Sequence, residues 1–136
     1  MPKQYLEALA RPEQSVNPLF NFLGIRVDAL EPDRAVLRLP CRPELIQGGG
    51  MVAGGVLATL LDETMAHAVL AGNRPGERTT TVGLSVSYLR PANADDTLVC
   101  EARVQKRGGR VIFVEACARA AGREVARATA SFLLIA

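Results

Sequence analysis

The sequence predicts an α+β domain in which one antiparallel sheet wraps around a long central helix. Three observations lead there. A helix-length segment beginning at Gly54-Gly55 and stopping at Gly72 or Asn73 is apolar on nearly every side, the pattern of a helix that is buried rather than laid on a surface. Four segments rich in Val, Leu, Ile and Thr follow it, and a two-stranded hairpin precedes it. The helix needs cover on most sides and the sheet needs something to cover, so each element answers the other.

The bulk composition fits this reading. With 136 residues, 49% hydrophobic and 22% charged, the chain suits a single domain spanning residues 1–136, with 1–17 as a lead-in, and is too apolar to be disordered. A net charge of +2 does not point to a nucleic-acid partner. There is no Trp and only 4% of residues are aromatic, so the core must be built from Val, Leu, Ile and Ala. Cys41, Cys100 and Cys117 have no paired spacing, and the last two sit in apolar runs; they read as reduced core thiols. Met1 to Glu7 lacks a signal-peptide layout, and no charge-free apolar run reaches the ~18 residues of a membrane span. The expectation is a cytoplasmic protein with no membrane partner.

Each element has its own signal. Residues 3–10 look helical, and a second short helix opens at Pro18 after Asn17 and stops at Gly24. Ile25–Leu30 and Ala35–Leu39 flank the turn residues Glu31-Pro32-Asp33-Arg34 as a hairpin, and Pro40 and Pro43 break the second strand. Ile46 to Ala53 is a glycine-dense loop leading into the long helix. Strands are expected at 80–90, 97–107, 110–120 and 125–135, forming a four-stranded meander whose last two links are Gly108-Gly109 and Ala121 to Glu124. In the first of them Val82, Leu84, Val86 and Tyr88 alternate with smaller residues and predict one apolar face.

The informative residues are the polar exceptions in the apolar helix. Asp62 lies mid-helix, where an ionised carboxylate is costly without partners or a cavity, which marks it as functional. Glu63 is turned ~100° from it and stands four residues before His67, the sole histidine, a spacing that lets the two side chains pair as structural or interface residues. With His67 as the only histidine there is no second imidazole for a dyad and no histidine cluster for a metal, and none is expected. The glycine loop lacks the Lys-Ser or Lys-Thr of a phosphate loop, yet it keeps close backbone approach and free N–H groups at a helix start. Arg107-Gly108-Gly109-Arg110 is better explained as a hairpin turn than as an RNA-binding repeat; Lys106, Arg107 and Arg110 are candidates for the phosphates of a small ligand, or for a solvated rim.

Three stretches together resemble the hotdog-fold acyl-CoA thioesterases, most closely the phenylacetate-pathway (PaaI-like) branch, over about residues 18 to 135. They are the lead-in Pro18 to Gly24, the run Gln47-Gly48-Gly49-Gly50-Met51-Val52-Ala53-Gly54-Gly55 continuing to Leu60-Leu61-Asp62-Glu63, and Ser85-Val86-Ser87-Tyr88-Leu89-Arg90-Pro91-Ala92. The resemblance implies the hotdog fold, an acyl-CoA substrate, and no cofactor beyond the CoA that the substrate carries. It also implies residue roles. Asp62 matches the carboxylate that activates water or attacks the thioester, Gly54 the glycine whose N–H polarises the carbonyl, and Gln47 the amide beside that carbonyl. Thr81, or its neighbour Thr80, matches the hydroxyl that helps hold the water. Gly55, Thr80, Arg90, Lys106, Arg107 and Arg110 are the expected contacts to substrate or CoA. Ala53 departs from the family, which places a histidine there, and Ala66 offers no hydroxyl one turn after Asp62.

Geometry adds a constraint of its own. Eight helical residues separate Gly54 from Asp62, about 12 Å, too far for both to meet one thioester carbon. Two antiparallel helices from two subunits bring them together, so a homodimer with two symmetry-related sites is expected, and a homotetramer as its further assembly. The rival readings are a hotdog hydratase or dehydratase acting on enoyl thioesters, and a non-catalytic acyl-CoA-binding dimer.

Overall fold

The computed structural model describes residues 2–135. Two short helices, α1 (Pro2–Leu9) and α2 (Pro18–Leu23), lead into the hairpin β1 (Arg26–Glu31) and β2 (Arg34–Pro40). A single 3-10 turn at Pro43–Leu45 and the glycine loop precede α3 (Gly54–Gly72), and β3 (Thr79–Tyr88), β4 (Thr97–Arg107), β5 (Val111–Ala120) and β6 (Arg123–Leu134) complete the chain. Local chemistry sets several boundaries. Asn17 caps α2 by accepting the Phe20 N–H, Pro18 occupies the first turn, and Gly24 ends the helix at φ +88°, a left-handed conformation that costs glycine little.

All six strands form one antiparallel sheet in the order β1-β2-β4-β5-β6-β3, wrapped on α3 as the hotdog fold requires. The order corrects one sequence expectation. Only β4, β5 and β6 form a meander; β3 pairs with β6 at the sheet edge, and β4 pairs with β2. The link from Leu89 to Asp96 is no hairpin turn. It contains Pro91, is pinned where the Val52 N–H donates to Ala92 O and the Cys41 N–H to Asp96 O, and carries the chain past β6 and β5, about 14 Å at ordinary strand spacing.

The inner face of the sheet is small-residue rich. Ala102, Ala116, Ala118, Ala126, Ala128 and Ala130 are all buried there, and α3 touches every strand. Leu60, Leu61, Met65, Ala68 and Val69 fill the helix side with no exposed surface. The helix is not covered all round, however. Gly55 is exposed, and Thr59, Asp62, Glu63, Ala66 and Leu70 form a half-exposed stripe at helical spacing. At the far end of α3 the Arg107 guanidinium donates to Asp33 Oδ1, Asn73 Oδ1 and Val69 O. It closes the carbonyl end of the helix, where positive charge is favoured. Gly72 leaves the room this needs, because a Cβ there would strike Asp33 and Arg107.

His67 is 5% exposed and lies under α1 and α2. Its Nδ1 is 2.6 Å from Glu63 O, which can only accept, so Nδ1 carries the proton. Nε2 is then an acceptor for the Tyr5 hydroxyl at 2.9 Å, and Tyr5 in turn accepts from Asn17 Nδ2. His67 therefore bonds the Glu63 backbone rather than the Glu63 carboxylate that its spacing suggested. Burial holds the imidazole below its ordinary pKa of 6.5. Below that value the unfolded chain takes up a proton that the native state resists, so this contribution to stability is complete above it and declines as the pH falls. Thermal denaturation across this range should show a lower midpoint at the acidic end, and His67→Gln should flatten the decline.

Candidate active site

Asp62 projects from the half-exposed stripe of α3, and the Thr81 hydroxyl donates to its Oδ1 at 2.9 Å. A β-bulge makes this contact. Thr81 is opposite Phe132 and Gly83 opposite Ser131, so Val82 is the extra residue. Phe132 is 1% exposed and inward-facing, which places Thr81 on the helix side. Beyond the bulge Leu84, Val86 and Tyr88 face inward too, opposite Ala130, Ala128 and Ala126. Strict alternation would put Thr81 and Leu84 on opposite faces; one inserted residue turns both toward α3. Val82 thus leaves the apolar face that the sequence assigned it to and stands 59% exposed.

The start of α3 carries a second set of groups. Ala53 occupies the cap position and makes no side-chain cap bond. The first helical N–H groups with backbone partners are those of Val56 and Leu57, both to Ala53 O, which leaves the Gly54 and Gly55 N–H groups without a backbone acceptor. Tyr88 sits directly over this turn. Its hydroxyl donates to Gly54 O at 2.8 Å, and a Cβ at position 54 would lie 3.3 Å from its ring. Glycine is what lets the ring approach so closely. The sequence contained Tyr88 as the strand's closing aromatic but gave no sign of this contact, because the partner lies 34 residues away.

The other expected site residues fare differently. Gln47 is exposed, and its side-chain oxygen accepts the Gly49 N–H within its own turn, so the amide is engaged in the loop rather than held free toward Gly54. Of the two threonine candidates, Thr81 holds Asp62; Thr80 lines the neighbouring cavity. Arg107 is corrected from a CoA contact to the clamp at the end of α3, since its donors are committed there. Arg90 is exposed and donates to Glu124 O, while Lys106 and Arg110 are exposed at the β4–β5 turn. Asp62 and Gly54 lie on the same helix, so a single chain does not bring them together.

A cavity of about 680 Å³ opens beside the Asp62–Thr81 pair. Thr79 to Thr81, Glu63, Ala66 and Leu70 line it from the sheet and helix, and Tyr5, Asn17 and His67 close it from the lead-in side. Another concavity, about 380 Å³, lies on the outer face of the sheet. Its acids and bases are largely committed to ion pairs, Glu101 with Arg34 and Arg103, Glu124 with Arg119 and Arg127, and it has no access to Asp62. Burial pushes the Cys41 thiol up to about 11 and the Cys100 thiol to about 12, so neither supplies a thiolate near neutrality. Among the described residues no group of three His, Cys, Asp or Glu side chains is placed to hold a metal ion, and no helix is long and apolar enough to cross a membrane.

Residues 49–126 match the thioesterase superfamily. This chain belongs to that family. The thioesterase is 32% identical over 121 residues to a Pseudomonas aeruginosa protein provisionally named an esterase, covering 87% of this chain and 89% of that one. It is 29% identical over 86 residues to acyl-coenzyme A thioesterase PaaI of Escherichia coli, covering 63% of this chain and 59% of the relative. Among solved structures, a phenylacetic acid degradation-related protein from Ralstonia eutropha superposes with a TM-score of 0.86 at 29% identity, covering 96% of this chain and 99% of that one. The protein is a thioester hydrolase with a PaaI-like hotdog fold.

Tyr88→Phe keeps the ring over Gly54 but removes its hydrogen bond. The expected result is a loss of about 1 kcal/mol in urea-unfolding free energy, typical of one such bond, with the fold retained.

Proposed function

We propose that this thioesterase hydrolyses an acyl-CoA to the free acid and CoA, at two sites shared between the subunits of a homodimer. The observation that carries the reading is the Thr81–Asp62 hydrogen bond. It ties down one oxygen of a mid-helix carboxylate on a half-exposed stripe and leaves the other free to accept a proton from water. In the proposed reaction Asp62 takes that proton, the hydroxide adds to the thioester carbon, and the oxyanion is stabilised by the N–H of Gly54 at the helix start of the second copy. The tetrahedral intermediate then expels the CoA thiolate, which takes up a proton. A donor of this kind contributes about 3 kcal/mol to the transition state. Direct attack by Asp62 on the thioester is the covalent variant of the same arrangement.

Several features support the dimer. Gly54 and Asp62 are about 12 Å apart along one helix, so the chemistry needs a second helix start. β3 ends the sheet order with an unpaired edge, and Val82, Leu84 and Tyr88 on it are 59%, 41% and 54% exposed. A sheet edge of this kind pairs readily with another copy, and a tetramer would follow from further packing of such dimers. Gly55, Thr80, Arg90, Lys106 and Arg110 remain proposed contacts to the substrate and its CoA phosphates, and Gln47 becomes one if its side chain leaves Gly49. No cofactor beyond the CoA of the substrate enters the scheme.

Free-thiol release from a panel of acyl-CoAs tests the reading. Asp62→Asn should lower kcat by about a thousandfold or more while size-exclusion chromatography still shows the dimer. Unchanged hydrolysis would overturn it, and loss of an enoyl-CoA double bond without thiol release would assign a hydratase instead. Thr81→Val preserves shape but leaves the carboxylate free to rotate; kcat should fall about tenfold to a hundredfold with little change in KM.

A further inference from the structure

The first turn of α3 is secured on either side of one peptide and weakly at that peptide itself. Upstream, the Val52 N–H donates to Ala92 O and the Ala53 N–H to Leu45 O; downstream, the Val56 and Leu57 N–H groups both reach Ala53 O. Between them stand Gly54 and Gly55, a residue type poorly disposed to helix, and Ala53 supplies no capping side chain. Tyr88 reaches the peptide that joins the two glycines, its hydroxyl donating to Gly54 O at 2.8 Å. No other side chain among the described residues bonds that peptide. The tyrosine is itself well anchored, in register opposite Ala126 on β6, with the following N–H, that of Leu89, donating to Val125 O.

We infer that Tyr88 is a positioning residue for hydrolysis: by holding Gly54 O it aims the Gly55 N–H, on the other side of the same peptide, at the developing oxyanion, so that Gly55 joins Gly54 as a second donor. This rests on the thioesterase reading of the site. A peptide unit is planar and rigid, so a bond that fixes its C=O also fixes its N–H. The two groups point in opposite directions, and the tyrosine therefore grips the peptide without standing where the oxyanion sits. The Gly55 N–H has no backbone acceptor, residue 55 is exposed, and nothing lies within 4 Å of where a Cβ of that residue would be, which leaves the donor open to a ligand. A hydrogen bond accepted by the carbonyl also polarises the peptide and strengthens its N–H as a donor. The Tyr88 proton is spent on Gly54 O, so the hydroxyl acts through the peptide rather than on the substrate. Both residues belong to one chain, and the copy that lends Gly54 to a site lends Gly55 and Tyr88 with it.

The test is free-thiol release by Tyr88→Phe, Gly55→Pro and the double variant, using the acyl-CoA that the unmodified protein turns over fastest. Proline is accommodated in the first turn of a helix and removes the N–H in question. Tyr88→Phe should lower kcat about tenfold with KM within about twofold, because the donor counts most when charge is on the oxygen. Gly55→Pro should lower kcat about tenfold to a hundredfold, and in its background Tyr88→Phe should cost less than about twofold more, since the group it aims is gone. A tyrosine that only stabilises the fold would lower kcat equally in both backgrounds. A second readout serves if the proline variant does not fold: the infrared carbonyl stretch of a bound CoA ketone, in which a methylene group replaces the thioester sulfur, should lie at higher wavenumber in Tyr88→Phe than in the unmodified protein. An unchanged kcat in Tyr88→Phe, equal losses in the two backgrounds, or an unmoved carbonyl stretch overturns the assignment of Tyr88 and leaves the thioesterase site standing. Absence of thiol release by the unmodified protein from every acyl-CoA offered, short, long or aromatic, overturns both.

Discussion

The sheet closes around a 19-residue helix because the surface that β4, β5 and β6 present to it is rich in alanine. A face of Ala102, Ala116, Ala118, Ala126, Ala128 and Ala130 lets the sheet backbone approach α3 closely, and the larger side chains of Leu60, Leu61 and Met65 from the helix fill the space. Interiors tolerate little void, so small residues on one layer demand large ones on the other. The position of every functional group follows from that seating. Asp62 is held where a sheet strand can reach it, and the start of α3 is held where Tyr88 can cover it.

The same seating leaves one stripe of the helix short of cover, and the chemistry is concentrated there. A carboxylate fully inside the alanine-lined core would be forced neutral or unfolded by desolvation. On the stripe it keeps partial contact with water and gains a fixed donor from Thr81. The Val82 bulge is the device that makes this compatible with an otherwise regular strand, since it turns Thr81 inward without displacing Leu84, Val86 or Tyr88 from the inner face. Polar connections at the carbonyl end of α3 and within it then fix its depth and rotation. Arg107 and Asp33 hold the carbonyl end, and the Asn17–Tyr5–His67 chain ties the lead-in to its middle. The lead-in is therefore part of the site, because the residues that anchor it also close the cavity beside Asp62.

Features set by residues close together in sequence are legible from it. The caps of α2, the β1–β2 hairpin, the span of α3 and the turns of the β4–β5–β6 meander all depend on neighbours within a few positions, where turn and capping chemistry act. The placement of β3 was not legible. Its partner is decided by where an eight-residue link can be anchored, and that anchor is a backbone bond to Val52, far away in the chain. Arg107 shows the same limit. As a member of a basic cluster it looked available for phosphate, and only the folded chain brings Asp33, Val69 and Asn73 to it. Glu63 and His67 had the right spacing to pair, but burial favoured the backbone carbonyl as the imidazole's partner.

By itself the sequence determined that one apolar helix lies at the centre of a sheet and that Asp62 is its anomaly, because periodicity and the cost of burying a carboxylate are properties of the chain alone. It also determined that Asp62 and Gly54 cannot meet within one copy, since helical rise fixes their separation. Tertiary structure decided which threonine holds Asp62, which arginine is structural, and which residues turn the flank of α3 into a cavity. Those outcomes depend on strand register, on a single bulge, and on contacts between residues tens of positions apart, and none of these is encoded in local pattern.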